Sequence, residues 1–191
     1  LNRQADSWIT LALAGIGQTL VFMIGGTDLS VGGLISFTNC LAAVYMPESP
    51  LGIAAFSLGI ILIGAIAGMF NGLIIVKFRL QPFIATLTTW AIWSGAALCI
   101  LSVDGGDVPK AFTGALLHKF GSVKVSLILL ILLGIAGVFF KVSRLGIALL
   151  AVGSNEKGAY FGGISVARTK IAVYMISGTL AACAGLFRTA Q

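Results

Sequence analysis

Between two apolar runs the chain carries Gly25-Gly26-Thr27-Asp28-Leu29-Ser30-Val31-Gly32-Gly33: four glycines, two hydroxyls and one carboxylate. An ionisable group inside a membrane is expensive, so Asp28 must face a protein interior or an interface. Each glycine costs about 1 kcal/mol relative to alanine in a helix interior, so this stretch disfavours continuous helix. Broken backbone at membrane depth survives only where protein buries it or where it lines a water-filled cavity. Two readings stand side by side. In one, the stretch from Gly25 to Gly33 is a functional pathway element. In the other they form a tight cytoplasmic turn, with Asp28 or Ser30 accepting the orphan N–H groups that open the second apolar helix.

A second polar stretch, Gly153-Ser154-Asn155-Glu156-Lys157-Gly158-Ala159-Tyr160-Phe161-Gly162-Gly163-Ile164, lies inside a long basic connection. Asn155 can cap a short helix, and Glu156 suits its positive N-terminal end. Gly162-Gly163 then stops it. Tyr160, Phe161 and Ile164 supply an apolar surface, so the helix either lies in the membrane interface or docks onto a soluble partner.

Other chemistry is excluded by what the residues do not offer. No lysine follows a glycine, so there is no Gly-x-x-x-x-Gly-Lys phosphate loop. The one histidine, His118, has no activated serine beside it to work with Asp104 or Asp107. Cys40, Cys99 and Cys183 fall in apolar segments without metal-ligand spacing and read as small core residues. No enzyme activity, metal or cofactor is expected.

The elements that position these stretches follow from composition. Of 191 residues, 58% are hydrophobic and 9% charged, with a mean hydropathy of +1.06. Soluble domains carry roughly 25% charged residues. This chain has too few polar residues to cover a soluble fold, so hydrocarbon must be its solvent. The 25 glycines fit helices that approach closely in lipid, where small residues carry the contact. The expected fold is all-α, a polytopic transmembrane bundle forming a single domain over residues 1–191.

Six apolar segments are predicted: Trp8–Ile24, Leu29–Met46, Leu51–Val76, Pro82–Leu101, Val125–Phe140 and Ile171–Phe187, with the glycine-rich stretch interrupting the first pair. Long connections remain at Ser102–Lys124 and Lys141–Lys170. The net charge of +6 reads through the positive-inside rule rather than as a nucleic-acid signal. Lys77, Arg79, Lys141, Arg144, Lys157, Arg168 and Lys170 mark the cytoplasmic side, against Arg3, Lys110, Lys119, Lys124 and Arg188 outside. Both ends of the chain then lie outside. A start at Leu1 without Met, and a stop directly after an apolar segment, suggest a fragment.

Six blocks occur in one order: Gly26-Thr27-Asp28-Leu29-Ser30-Val31-Gly32, Pro82-Phe83-Ile84-Ala85-Thr86-Leu87, Arg144-Leu145-Gly146, Gly153-Ser154-Asn155-Glu156, Gly163-Ile164, and the run Lys170–Ala182. Together they resemble the permease subunits of ribose-type bacterial ATP-binding cassette importers, which carry simple sugars or the autoinducer-2 signal. The resemblance implies a plasma-membrane permease without catalytic residues of its own. It would work as a pair with a second permease copy, cytoplasmic ATPase subunits and a periplasmic sugar-binding protein. It also implies roles. Residues 141–170 would form a cytoplasmic coupling loop, with Asn155, Glu156, Gly158, Ala159 and Gly163 in the helix that docks into the ATPase. The Gly25–Gly33 segment and the Gln81–Thr86 turn, including Phe83 and Thr86, would border the pathway. Such permeases resemble a ten-helix arrangement, of which these segments would be the second to seventh. Gly158 departs from a small Ala and is expected to loosen the coupling helix; Ser94 and Gly33 depart from an Arg and a Ser.

A neutral sugar needs polar groups but no fixed charge, which brings forward Gln18, Thr19, Asn39, Asn71, Thr86, Thr88, Thr89 and Trp90; each can equally be an interhelical contact. Three alternatives remain: a gradient-driven transporter relying on Asp28, a branched-chain amino-acid permease, and a structural membrane subunit.

Overall fold

In the computed structural model, residues 2–103, 105–120 and 123–191 are described. Asp104 lies outside the described residues, as does the side chain of Arg3.

Helix α1 (Asn2–Met23) is followed by the glycine-rich turn, then α2 (Ser30–Tyr45), α3 (Pro50–Phe78) and α4 (Pro82–Ile100). A short helix α5 (Lys110–Leu116) and a pair of two-residue strands, β1 (Lys119–Phe120) and β2 (Val123–Lys124), precede α6 (Val125–Val142). The chain ends with α7 (Arg144–Ser154), α8 (Glu156–Phe161) and α9 (Val166–Thr189). Helices α1, α3, α4, α6 and α9 are long and apolar enough to cross a membrane.

Local chemistry sets most of these boundaries. Ser49 Oγ accepts from the Gly52 N–H at 3.2 Å and Pro50 opens α3, which ends at Arg79 in the left-handed region (φ 54°). Pro82 then opens α4, where the missing proline N–H costs nothing. Ser143 caps α7 by accepting from the Gly146 N–H at 3.1 Å.

Helix α9 is the centre of the bundle, packed against α1, α2 and α3, while α4 lies on α2 and α6 on α1. The α3–α9 contact rests on Gly64, Gly68 and Gly72, spaced four apart on one face. A Cβ on any of them would strike α9: Gly178 and Ala182 from Gly64, Tyr174 and Met175 from Gly68, Ile171 from Gly72. Without side chains there, the two backbones approach closely, which is how helices gain packing energy in lipid. By contrast only Ser126 of α6 is buried; Leu129, Leu130 and Leu133 pack partly against Ile9, Leu13 and Phe187, and most of the other side chains of that helix are exposed and apolar.

Apolar clusters close the two ends. At one end Val21, Ile24, Leu149, Val152, Ala159, Val173 and Tyr174 pack together. At the other, Phe112 of α5 wedges among Ala42, Met46, Leu186 and Ala190. The connections 24–29, 79–81 and 143–165 share the first end, so the basic residues assigned to the cytoplasmic side do lie together there.

Two predicted features change. The second segment, read as Leu29–Met46, is helical only over 16 residues. At 1.5 Å per residue it is about 24 Å long, short of a ~30 Å hydrocarbon core. The backbone is not helical between Met23 and Ser30, so this segment is a shorter apolar helix rather than one of span length. The connections read as Ser102–Lys124 and Lys141–Lys170 are not featureless: the first contains α5 and the strand pair, the second α7 and α8.

Candidate functional site

Gly25, with φ +71°, turns the chain back after α1, and the Gly25 and Gly26 N–H groups return to the Phe22 and Val21 carbonyls. Gly26 lies beneath the Tyr174 hydroxyl, where a Cβ would stand only 2.6 Å from it. That gap lets Tyr174 reach across and donate to the Thr27 carbonyl at 3.3 Å.

Asp28 is 1% exposed and sits where α1, α2, α3, α4 and α9 meet. Its Oδ1 accepts from the Ser30 hydroxyl at 2.6 Å and the Ser30 N–H at 3.1 Å; its Oδ2 accepts from the Ser177 hydroxyl of α9 at 2.8 Å. The Ser30 hydroxyl, its proton committed to Asp28, accepts from Asn71 Nδ2 of α3 at 2.9 Å. Gln18 of α1 donates to the Asp28 carbonyl, and the Leu29 N–H donates to Thr86 Oγ1 of α4 at 3.1 Å. Among the described residues no Lys, Arg or His is ion-paired with Asp28. Its carboxylate oxygens are held by hydroxyl and backbone N–H donors alone among the described residues.

This arrangement joins the two readings of the glycine-rich stretch. Asp28 does accept the Ser30 N–H at the head of α2, although Leu29 occupies the cap position and makes no side-chain bond there. The same carboxylate also ties α2 to α9, and through Ser30 to α3. Thr86 is fully buried beside it, whereas Phe83 is 54% exposed and Gly32 lies open beside the Trp90 indole. Of the proposed sugar-binding side chains, Gln18, Asn71, Thr86 and Thr89 spend donors on internal contacts. Asn39 accepts from Thr189 at 2.9 Å. Thr19, Thr88 and Trp90 are exposed. Gly33 and Ser94 face one another between α2 and α4: a Cβ on Gly33 would lie 3.0 Å from Ser94 Oγ.

In the connection 143–165, Asn155 Oδ1 accepts from the Gly158 N–H at 2.9 Å and so caps α8 as its sequence predicts. Gly162 ends the helix and Gly163 takes φ +83°. Ala159 faces inward, packed with Val173, Tyr174, Val21 and Ile24. Tyr160 and Phe161 face outward at 69% and 85% exposure, their rings edge to face at 5.9 Å. Ile164, grouped with them above, instead packs against the inner cluster. Glu156 Oε2 accepts from Lys170 Nζ at 2.8 Å, joining α8 to the first turns of α9. A cavity of about 1330 Å³ runs between this loop and the bundle, bounded by Gly25, Arg79, Pro82, Glu156, Gly163 and Lys170. Glu156 and Gly163 therefore share one recess with Gly25 and with the turn at Arg79, Leu80 and Pro82.

Three residues escaped the sequence reading. Tyr174 and Ser177 lie in a block singled out only as a whole; their spacing from Lys170, four and seven residues, was the available signal for one helical face. Asp6 is a second buried carboxylate, ion-paired with Lys124 and accepting from the Ser126 hydroxyl at 2.6 Å. Its partners lie 118 and 120 residues away, and no local pattern announces them. Among the described residues no cluster of metal-ligating side chains occurs.

The chain is 33% identical to the fructose import permease protein FruG of Bifidobacterium longum, an alignment covering 95% of this chain and 56% of that protein. It is 35% identical to the ribose import permease protein RbsC of Bacillus subtilis (94% and 56% covered), and 32% identical to the galactofuranose transporter permease protein YtfT of Escherichia coli (100% and 55% covered). The chain thus spans about half the length of the curated relatives it matches. No solved structure matches it. The family profile described as "Branched-chain amino acid transport system / permease component" matches residues 5–191. With five helices able to cross a membrane and a match over nearly its whole length, this multi-pass membrane chain belongs to that family of transport-system permease components.

Proposed function

We propose that this chain is part of the permease subunit of an ATP-driven bacterial importer, forming the route through the plasma membrane for a monosaccharide or a related small polar solute. The observation that carries this reading is the similarity, over nearly all of the chain, to permeases named for fructose, ribose and galactofuranose. The capped α8, with Tyr160 and Phe161 turned outward, suits docking into a cytoplasmic ATPase, and residues 141–170 serve as its coupling loop. Hydrolysis belongs to that separate subunit. A periplasmic sugar-binding protein delivers the substrate, and a second permease copy completes the pathway. The turn at Gly25–Gly33 and the Gln81–Thr86 turn stand at its inner end. Gly32, Phe83, Thr88 and Trp90 lie on accessible surface of α2 and α4 and suit its wall. Asp28, Ser30 and Thr86 act behind that wall as its anchor, because their polar atoms are already engaged.

The test is purification of the tagged full-length permease from its native membrane in gentle detergent. A co-purifying ATPase, lost on deleting residues 155–163, is expected; no ATPase under conditions that preserve a known importer overturns the reading. A second reading follows from the family description, which names branched-chain amino acids. Uptake of labelled sugar, competed by excess sugar but not by excess leucine, decides for the sugar.

A further inference from the structure

The function proposed above requires that movement of α8 reach the pathway, and the present inference rests on that reading. We propose that one face of α9, carrying Lys170, Tyr174 and Ser177, is the line through which the coupling helix sets the position of the Thr27–Asp28 turn.

Residues 170, 174 and 177 are spaced at helical intervals of four and three, so their side chains leave α9 on one face. Each engages a different part of the same line. Lys170 holds Glu156, the first residue of α8, at 2.8 Å. Tyr174 donates to the Thr27 carbonyl at 3.3 Å and Ser177 donates to Asp28 Oδ2 at 2.8 Å. Tyr174 and Ser177 are each 1% exposed, so neither bond competes with solvent. Between the two ends, Ala159 of α8 packs in the same cluster as Val173 and Tyr174.

Displacing α8 therefore pushes on α9 through a charge contact and an apolar contact, and α9 is bonded to the turn at two successive residues. A parallel contact reinforces the first: Gly153, near the end of α7, abuts the Met23 carbonyl at the last residue of α1, where a Cβ would collide. The turn is thus gripped from α9 by hydrogen bonds and from α7 by backbone contact, while its own Gly25 supplies the flexible point. Tyr174 and Ser177 act as positioning residues, since they touch the turn rather than the substrate.

The full-length permease, reconstituted in liposomes with its ATPase and binding protein, tests this through the amount of substrate moved per ATP hydrolysed. Tyr174→Phe keeps the ring and removes only the bond to Thr27; Ser177→Ala removes only the bond to Asp28. Each is expected to lower that ratio about two- to thirtyfold, the range for a residue along a coupling network, while the ATPase still co-purifies. Glu156→Lys and Lys170→Glu are expected to lower it singly and to regain it together. A wild-type ratio in both Tyr174→Phe and Ser177→Ala overturns the proposal. So does a loss confined to Ser177→Ala that tracks a lower melting temperature, because that marks Ser177 as structural only. An unsubstituted permease that binds no ATPase is a distinct result and overturns the function itself.

Discussion

The bundle buries one carboxylate near each end and satisfies them in opposite ways. Asp6, at the outer end, is paired with the Lys124 ammonium and the Ser126 hydroxyl, joining α1 to the head of α6. Asp28, at the inner end, meets two serine hydroxyls and a backbone N–H, and joins α2 to α9. An ion pair concentrates the compensation in a single partner, so it is either made or broken. A set of neutral donors divides it, and the set can be loosened one bond at a time. The Asp6 site is built as a latch and the Asp28 site as an adjustable anchor.

That contrast can be broken most directly at Lys124. Lys124→Met leaves Asp6 buried without its cation and is expected to cost about 3–5 kcal/mol. Thermal unfolding in detergent reads it, and adding Asp6→Asn should recover most of the loss because no uncompensated charge remains. A loss below about 1 kcal/mol for Lys124→Met would place that pair in solvent-like surroundings and remove the distinction. Ser177→Ala, at the inner anchor, is expected to cost about 1.5–3 kcal/mol, the contribution of one hydrogen bond to a charged group, with Asp28 still held by Ser30. A cost as large as that of Lys124→Met would mean that the inner site is also all-or-none. The smallest effect belongs to the exposed pair of Glu156 and Lys170, whose Glu156 side chain is 57% exposed. Glu156→Gln is expected to change stability by about 0–1 kcal/mol, and raised salt should erase even that. A larger, salt-resistant loss would show that the pair is sealed from water in the assembled protein.

Much of the inner region was legible along the chain because its signals are local. Glycine pairs beside Asp28 mark a break, Asn155 followed by Gly162-Gly163 marks the start and stop of a short helix, and the helix that begins at Pro82 differs little from the apolar run read there. The two-sided reading of Asp28, pathway element or cap, stayed open because its outcome depends on Ser177, 149 residues away. The polar side chains chosen as sugar contacts show the same limit: Asn71 and Thr86 fit that role by type, but their neighbours turn them inward to Ser30 and to the Asp28 turn.

Composition and hydropathy by themselves determined a membrane-spanning helical chain, its apolar segments and its basic inner loops, since the cost of polar groups in hydrocarbon acts on every residue wherever it packs. Only the tertiary structure decided that α9 lies at the centre, that the glycines of α3 admit it, and that Asp6 has its cation on α6's doorstep at Lys124. Those outcomes depend on which helices become neighbours. In lipid that choice is made by close steric fit and paired polar groups rather than by burial of apolar area. The four-residue spacing of Gly64, Gly68 and Gly72 marks a face open to close approach, but not which helix fills it.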